Sequence, residues 1–230
     1  MLSLQKHHIT NLYVMIDDLL PKEPKPLGGR PTILSDSELI TILLWNTIMV
    51  KQKTIRDIYN FIDDYHKKEF PKLPKYNTFV AHCNRTLPLL VWFLEQLLTK
   101  QEKTRFMDST MLEVCKLVRA SNHKVAKNIA KFGKNHQGWH YGFKLHASSN
   151  TNGQLCGLAL TPADVHDAQM MPKILNEKTK IAVGDGGYTA SVMRERIWKE
   201  YGTIVVSPPH FKQRKKSFNL VARYVIKNEA

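Results

Sequence analysis

The chain holds only three cysteines in 230 residues, Cys83, Cys115 and Cys156, and none stand in C-x-x-C spacing. An odd, unclustered set excludes a disulfide framework and a structural zinc site, and it fits a reducing compartment. Long apolar runs are also missing. The longest, Leu39 to Val50, is broken by Thr41, Asn46 and Thr47 and is too short to span a bilayer. The N-terminus, Met-Leu-Ser-Leu-Gln-Lys-His-His, lacks the apolar core of a secretion signal. These absences point to a soluble, cytoplasmic protein with no membrane partner. No internal repeat or low-complexity segment is present. Acid is the other scarcity: 20 Asp and Glu stand against 34 Lys and Arg, for a net charge of +14 and a pI near 9.7. Such an excess calls for a polyanionic partner, nucleic acid first. No lysine-rich amphipathic helix argues for an anionic membrane instead. The excess is uneven. Residues 1–100 carry 13 basic against 10 acidic groups, and residues 101–230 carry 21 against 10.

The two halves also differ in pattern. Residues 4–20 repeat apolar positions at helical spacing. A proline-rich, basic stretch follows from Pro21 to Pro31, an arm or a linker. Ser35-Asp36-Ser37-Glu38 is a capping box that opens a helix. Thr54 caps another. A further helix starts at Asn77 or Thr78, and a last one follows Pro88. From Thr104 the pattern turns to strands. Thr104 to Cys115 is one, and Trp139 to Ala147 with Gln154 to Leu160 forms a hairpin around Asn150-Thr151-Asn152-Gly153. Between them, Arg119 to Lys134 is basic with little periodicity. A short helix over Asp167 to Leu175, a strand at Lys180 to Val183, a helix over Ala190 to Tyr201 and a strand at Thr203 to Val206 complete the order. The expected organisation is a helical, DNA-binding region over 1–100 and a mixed α+β domain over 101–230.

Within the second half, Asp108 and Asp185 each follow a short apolar run: Arg-Phe-Met-Asp-Ser-Thr and Ile-Ala-Val-Gly-Asp-Gly-Gly-Tyr. Strands that deliver carboxylates to one sheet edge build sites for hard cations such as Mg²⁺, which take oxygen ligands and leave the remainder to water and phosphate. Each residue has a plainer reading. Asp before Ser-Thr is commonly a turn or cap residue, and Gly-Asp-Gly-Gly is a common turn. His140, His146 and His166 show no zinc spacing and read as surface or DNA-contacting groups. Asp167 reads best as the N-cap of the short helix, or else as a spare acid beside the metal pair. Lys144 alternates with Phe143 and Leu145, so it projects toward substrate phosphate or lies on a solvent face. Arg30 belongs to a minor-groove arm or a linker. Lys212, Arg214, Lys215 and Lys216 form a phosphate-contacting cluster or a solvated charge run.

The order of elements is that of an RNase H-like sheet, with Asp108 on its first strand and Asp185 after its fourth. Four segments then carry a resemblance: Phe-Met-Asp-Ser-Thr (106–110), Tyr-Gly-Phe-Lys-Leu-His (141–146), Thr-Pro-Ala-Asp-Val-His-Asp (161–167) and Gly-Asp-Gly-Gly-Tyr (184–188). In this order they resemble bacterial insertion-sequence transposases of the DDE superfamily, above all the nine-eighty-two group, over nearly the whole chain. The resemblance implies Asp108 and Asp185 as the first two metal-holding acids, two Mg²⁺ or Mn²⁺ ions, double-stranded DNA (terminal repeats and target) as partner, and a homodimer on DNA. It also implies a third acid on a C-terminal helix. The segment Ser217 to Ala230 departs from the family there, with Glu229 as its only acid. The expectation is a chain truncated or frameshifted after the lysine run, without its C-terminal helices. An active transposase, a truncated protein that only binds DNA, and an RNase H-type nuclease are the three readings carried forward, in that order.

Overall fold

The computed structural model describes residues 2–21, 33–52, 54–124 and 126–208. Chain contacts divide it into two units, Met1–Leu97 and Leu98–Ala230. The first is helical: α1 (Leu2–Leu19), α2 (Asp36–Trp45), α3 (Ile55–Tyr65) and α4 (Tyr76–Gln96). Local chemistry sets two of the helix starts. Ser35 accepts from the Glu38 N–H, while the Ser35 N–H donates to the Glu38 carboxylate at 2.7 Å, a complete capping box. Thr54 accepts from the Asp57 N–H to open α3. Ile9, Leu39, Ile42, Trp45, Ile58, Ile62 and Phe79 then share one apolar core. The two helices expected around Pro88 are one. Proline frees the carbonyl of Asn84, but Asn84 and Pro88 both lie on the exposed side, so solvent reaches the freed group. Phe79 and Phe93 meanwhile anchor α4 on either side of the proline.

The second unit is a six-stranded mixed sheet of the RNase H-like kind: β1 (Thr104–Glu113), β2 (Lys131–Asn135), β3 (Gly138–Ser149), β4 (Leu155–Pro162), β5 (Ile181–Gly184) and β6 (Ile204–Val206), with α5 (Met171–Ile174) and α6 (Ser191–Tyr201). The path runs β2-β3-β1-β5-β6, and β4 pairs with β3 as well. Long β3 pairs with β1 along one edge. Its other edge is shared by β2, opposite residues 138–142, and β4, opposite residues 143–149. Strand β2 is one more than the sequence suggests. Its residues Lys131, Phe132 and Lys134 are exposed, so burial leaves no alternation to read. Asp185 therefore follows the fifth strand.

The core lies on one face of the sheet. Met107 and Ala182 pack there with Met171 and Ile174 of α5, Ile197 of α6, and Tyr188. Alternation along β1 puts Arg105 and Met107 on this buried face and Phe106 and Asp108 on the exposed one. Arg105 is 1 % exposed and has no carboxylate partner among the described residues; its guanidinium donates to the carbonyls of Cys156, Ile174 and Lys100. It thereby ties the start of β1 to β4 and to the end of α5. Gly202, at φ +67°, stops α6 with a left-handed cap and donates its N–H to the Trp198 carbonyl. Arg30, the arm around it, the cluster from Lys212 to Lys216 and the expected loss of C-terminal helices all fall outside the described residues.

Candidate active site

Strands β1 and β5 run parallel and adjacent, and their last paired residues are Met107 and Gly184. The next residue on each strand is an aspartate. Neighbouring strands lie about 5 Å apart, so Asp108 and Asp185 stand side by side where β5 ends and β1 continues. Crevices beyond the carboxyl ends of parallel strands are where such sheets bind ligands. Both aspartates are exposed. Asp108 is in mid-strand, which removes the cap reading, and its Oδ1 accepts from the Ser109 N–H at 2.7 Å. Asp185 caps the 3₁₀ turn Gly186–Tyr188, its Oδ1 accepting from the Gly187 N–H at 2.8 Å. Each keeps its second oxygen clear of hydrogen bonds to described residues.

A third carboxylate comes to the same edge. The helix expected over Asp167 to Leu175 begins as a 3₁₀ turn, Asp167–Met170, and Asp167 is its first residue and not its cap, because the His166 side chain takes the Ala168 N–H. Asp167 reaches inward. Its Oδ1 lies 3.1 Å from Lys144 Nζ and 3.6 Å from His146 Nδ1. Its Oδ2 faces the turn below Asp185. A Cβ at Gly187 would fall 2.8 Å from Asp167 Oδ2 and 3.0 Å from Asp185 Oδ1, so these two oxygens are within about 6 Å of each other. A side chain there would press on both carboxylate ends and shift them. Gly184 plays the matching part below, where a Cβ would strike the Tyr188 ring at 2.5 Å. Tyr188 is fully buried and its hydroxyl has no hydrogen-bond partner among the described residues. Burial pushes its phenol well above the ordinary range, and Asp167, Asp185 and Asp108 add to the shift in that order. The three carboxylates thus act on one buried ring. No group of three or more His, Cys, Asp or Glu side chains forms a ready metal cage among the described residues.

Lys144 and His146 are placed differently from the sequence reading. Lys144 is 8 % exposed, which rules out the solvent face, and its ammonium donates to the Val165 carbonyl at 2.9 Å besides pairing with Asp167. Its charge is engaged within the fold. Both residues point to the buried face of β3, where alternation aims them at the segment after β4. His146 is fully buried against Thr161 Oγ1 at 2.9 Å, and His140 is also buried; neither is a surface group. Burial holds the His146 imidazole below the usual histidine range, Asp167 opposes this, and Lys144 reinforces it. Two residues take bracing roles that the sequence reading did not give them, Arg194 unmentioned there and His140 read as a surface or DNA-contacting group. Arg194 of α6 donates to the Tyr188 carbonyl at 3.1 Å and meets the Ser207 hydroxyl beyond β6, bracing the turn after Asp185. His140 joins Glu113 at 2.5 Å and Asn135 Oδ1 at 2.9 Å, fastening the β2–β3 turn to the far end of β1. Each bridges a near partner and a more distant one, Arg194 to Ser207 over 13 positions and His140 to Glu113 over 27, and the distant half leaves no local signal in the sequence.

No helix among the described residues is long and apolar enough to cross a membrane. A family model described as a transposase DDE domain matches residues 98–229, more than half of the chain. Comparison with curated proteins finds no relative.

Proposed function

Because this chain belongs to the transposases of the DDE superfamily, we propose that it cuts and rejoins DNA at the ends of an insertion sequence, with Asp108 and Asp185 as the acids of its active site. The observation that carries this is the register of β1 and β5, which sets the two aspartates one residue past Met107 and Gly184. The four motifs favour the nine-eighty-two group. DDE transposase domains generally use divalent metal ions, and the residues here fit such ions. Asp108 and Asp185 are exposed, offer hard oxygen donors, and each leaves one carboxylate oxygen uncommitted. Asp108 and Asp185 would hold the ions. When bound, Mg²⁺ or Mn²⁺ would make water or a 3′-hydroxyl a competent nucleophile and offset charge on the departing oxygen.

The remaining groups shape this edge. Asp185 is fixed by its cap on Gly187. Asp167 adds a third carboxylate within about 6 Å of Asp185, and Lys144, 3.1 Å away, orients it. Tyr188 closes the floor against water. The substrate is double-stranded DNA, terminal repeats and target, held by a basic homodimer in the cytoplasm. The net charge of +14 supports the polyanion.

The test incubates the full chain with a DNA fragment bearing the element's end and Mg²⁺ or Mn²⁺. Strand nicking lost in Asp108→Asn supports the proposal. Binding without nicking favours a protein that only binds DNA, and cutting indifferent to the end sequence favours a nuclease; either result overturns it.

A further inference from the structure

No acidic residue occurs between Glu113 and Asp164. The same stretch holds Lys116, Arg119, Lys124, Lys127, Lys131 and Lys134, all exposed, besides the internally paired Lys144. A run of exposed cations with no intervening carboxylate gives a positive potential that no local acid cancels. The β2–β3 ribbon lies inside it. Phe132 is paired with Tyr141 and Lys134 with Trp139, so these four side chains share one face of the ribbon. Tyr141 is buried at its base, its ring 4.9 Å from that of Phe132. The other two aromatic and basic groups stand in solvent. Trp139 is 56 % and Phe132 51 % exposed, and Lys134 Nζ sits 5.7 Å from the Trp139 ring centre.

We propose that this face of the ribbon is a stacking platform for unpaired bases of the DNA, Trp139 and Phe132 supplying the rings and Lys134 and its basic neighbours holding the backbone. The inference rests on the reading of the chain as a DNA-cutting enzyme. Two exposed rings beside a lysine in an acid-free surface match what single strands require, a π-face for each base and a cation for each phosphate. An acidic peptide would satisfy the cations but leaves the rings without a planar partner. Position supports the same occupant. The turn at Asn135, His136 and Gln137 forms the far wall of a cleft whose near wall is β1 from Ser109 to Glu113, beginning next to Asp108. The His140 link to Glu113 and Asn135 holds the ribbon to that strand. Asp108 pairs with Ala147 on β3, and Trp139 lies eight residues further along β3. At 3.3 Å per residue this is about 26 Å, or roughly eight nucleotide steps from the scissile phosphate. Base pairs disrupted within that distance come to the platform.

The experiment measures binding of the full chain, at fixed salt, to a labelled 30-base-pair duplex and to the same duplex ending in a five-thymine fork. The wild type binds the fork roughly tenfold more tightly, as one stacked base gives. Trp139→Ala removes this preference and leaves duplex affinity within about twofold, while Trp139→Phe keeps most of it. Lys134→Ala weakens both DNAs and reduces the log–log salt slope by about 0.9. Equal binding of fork and duplex by the wild type, an undiminished preference in Trp139→Ala, or tighter binding of a five-uridine RNA fork overturns the platform. Fork preference without metal-dependent cutting overturns only the active-site reading. Cutting without fork preference overturns only the platform, and no binding to either DNA overturns both.

Discussion

The helical unit and the sheet unit bury different things. The first encloses Leu39, Ile42, Ile62 and Phe79, and its buried polar groups are hydroxyls, Asn46, His66 and His82; no Lys, Arg, Asp or Glu is buried among its described residues. The second buries the Arg105 guanidinium and the Lys144 ammonium and sets Asp167 against the latter. Buried charge adds little to stability compared with apolar packing of the same volume. Its presence in one unit alone marks where geometry is being held for another purpose. In the sheet unit that geometry lies at the carboxyl edge of β1 and β5, where Asp108 stands beside Asp185 and Asp167 approaches Asp185.

This contrast can be broken by substitution. The largest effect is expected for Lys144→Met, which strands the Asp167 carboxylate. Unfolding in urea should show a loss of about 3 kcal/mol, the low end for a broken buried pair because Asp167 keeps some solvent. Adding Asp167→Asn should return at least about 1 kcal/mol of it; an additive double variant would dissolve the pair as a unit. Gly187→Ala comes next, at about 1 kcal/mol, because the added methyl displaces the ends of the two carboxylates. It should also weaken Mn²⁺ binding, read by the paramagnetic resonance of free Mn²⁺. Unchanged stability and metal affinity would show that the close approach has no role. In the helical unit, Ser35→Ala should cost about 1 kcal/mol through the lost cap and leave DNA cutting intact in the folded protein. The smallest effect concerns pH. Burial holds His82 below the ordinary histidine range, Arg85 assists and Asp36 opposes. The unfolded chain therefore binds the proton more readily. The stability from neutral His82 is fully present above about pH 6.5 and is lost as pH falls through that value toward the lower folded one. His82→Leu should flatten that part of a stability–pH curve, and an unaltered slope would contradict it.

What could be read from the sequence follows the same division. Ser35 with Glu38 and Thr54 declare their helices because capping is chemistry between near neighbours. Pro88 misleads, since its exposure inside α4 is set by packing. Asp108 and Asp185 stand out as acids closing apolar runs. Asp167 reads as a cap until Lys144, 23 positions earlier, draws the side chain inward. Strand β2 and the exposed face of Trp139 stay hidden because nothing local distinguishes an exposed strand from a basic loop. Local signals fixed where the elements begin; long-range pairing decided which side chains meet.

The central claim is that Asp108 beside Asp185 is the reacting centre. Its most direct test is metal-dependent nicking of end-bearing DNA by the wild type and by Asp108→Asn. Asp108 is exposed and its substitution should leave stability within about 0.5 kcal/mol. Nicking should fall by roughly a thousandfold or more, about 4 kcal/mol of barrier, with DNA affinity retained. An Asp108→Asn protein that still nicks at the wild-type rate would contradict the account.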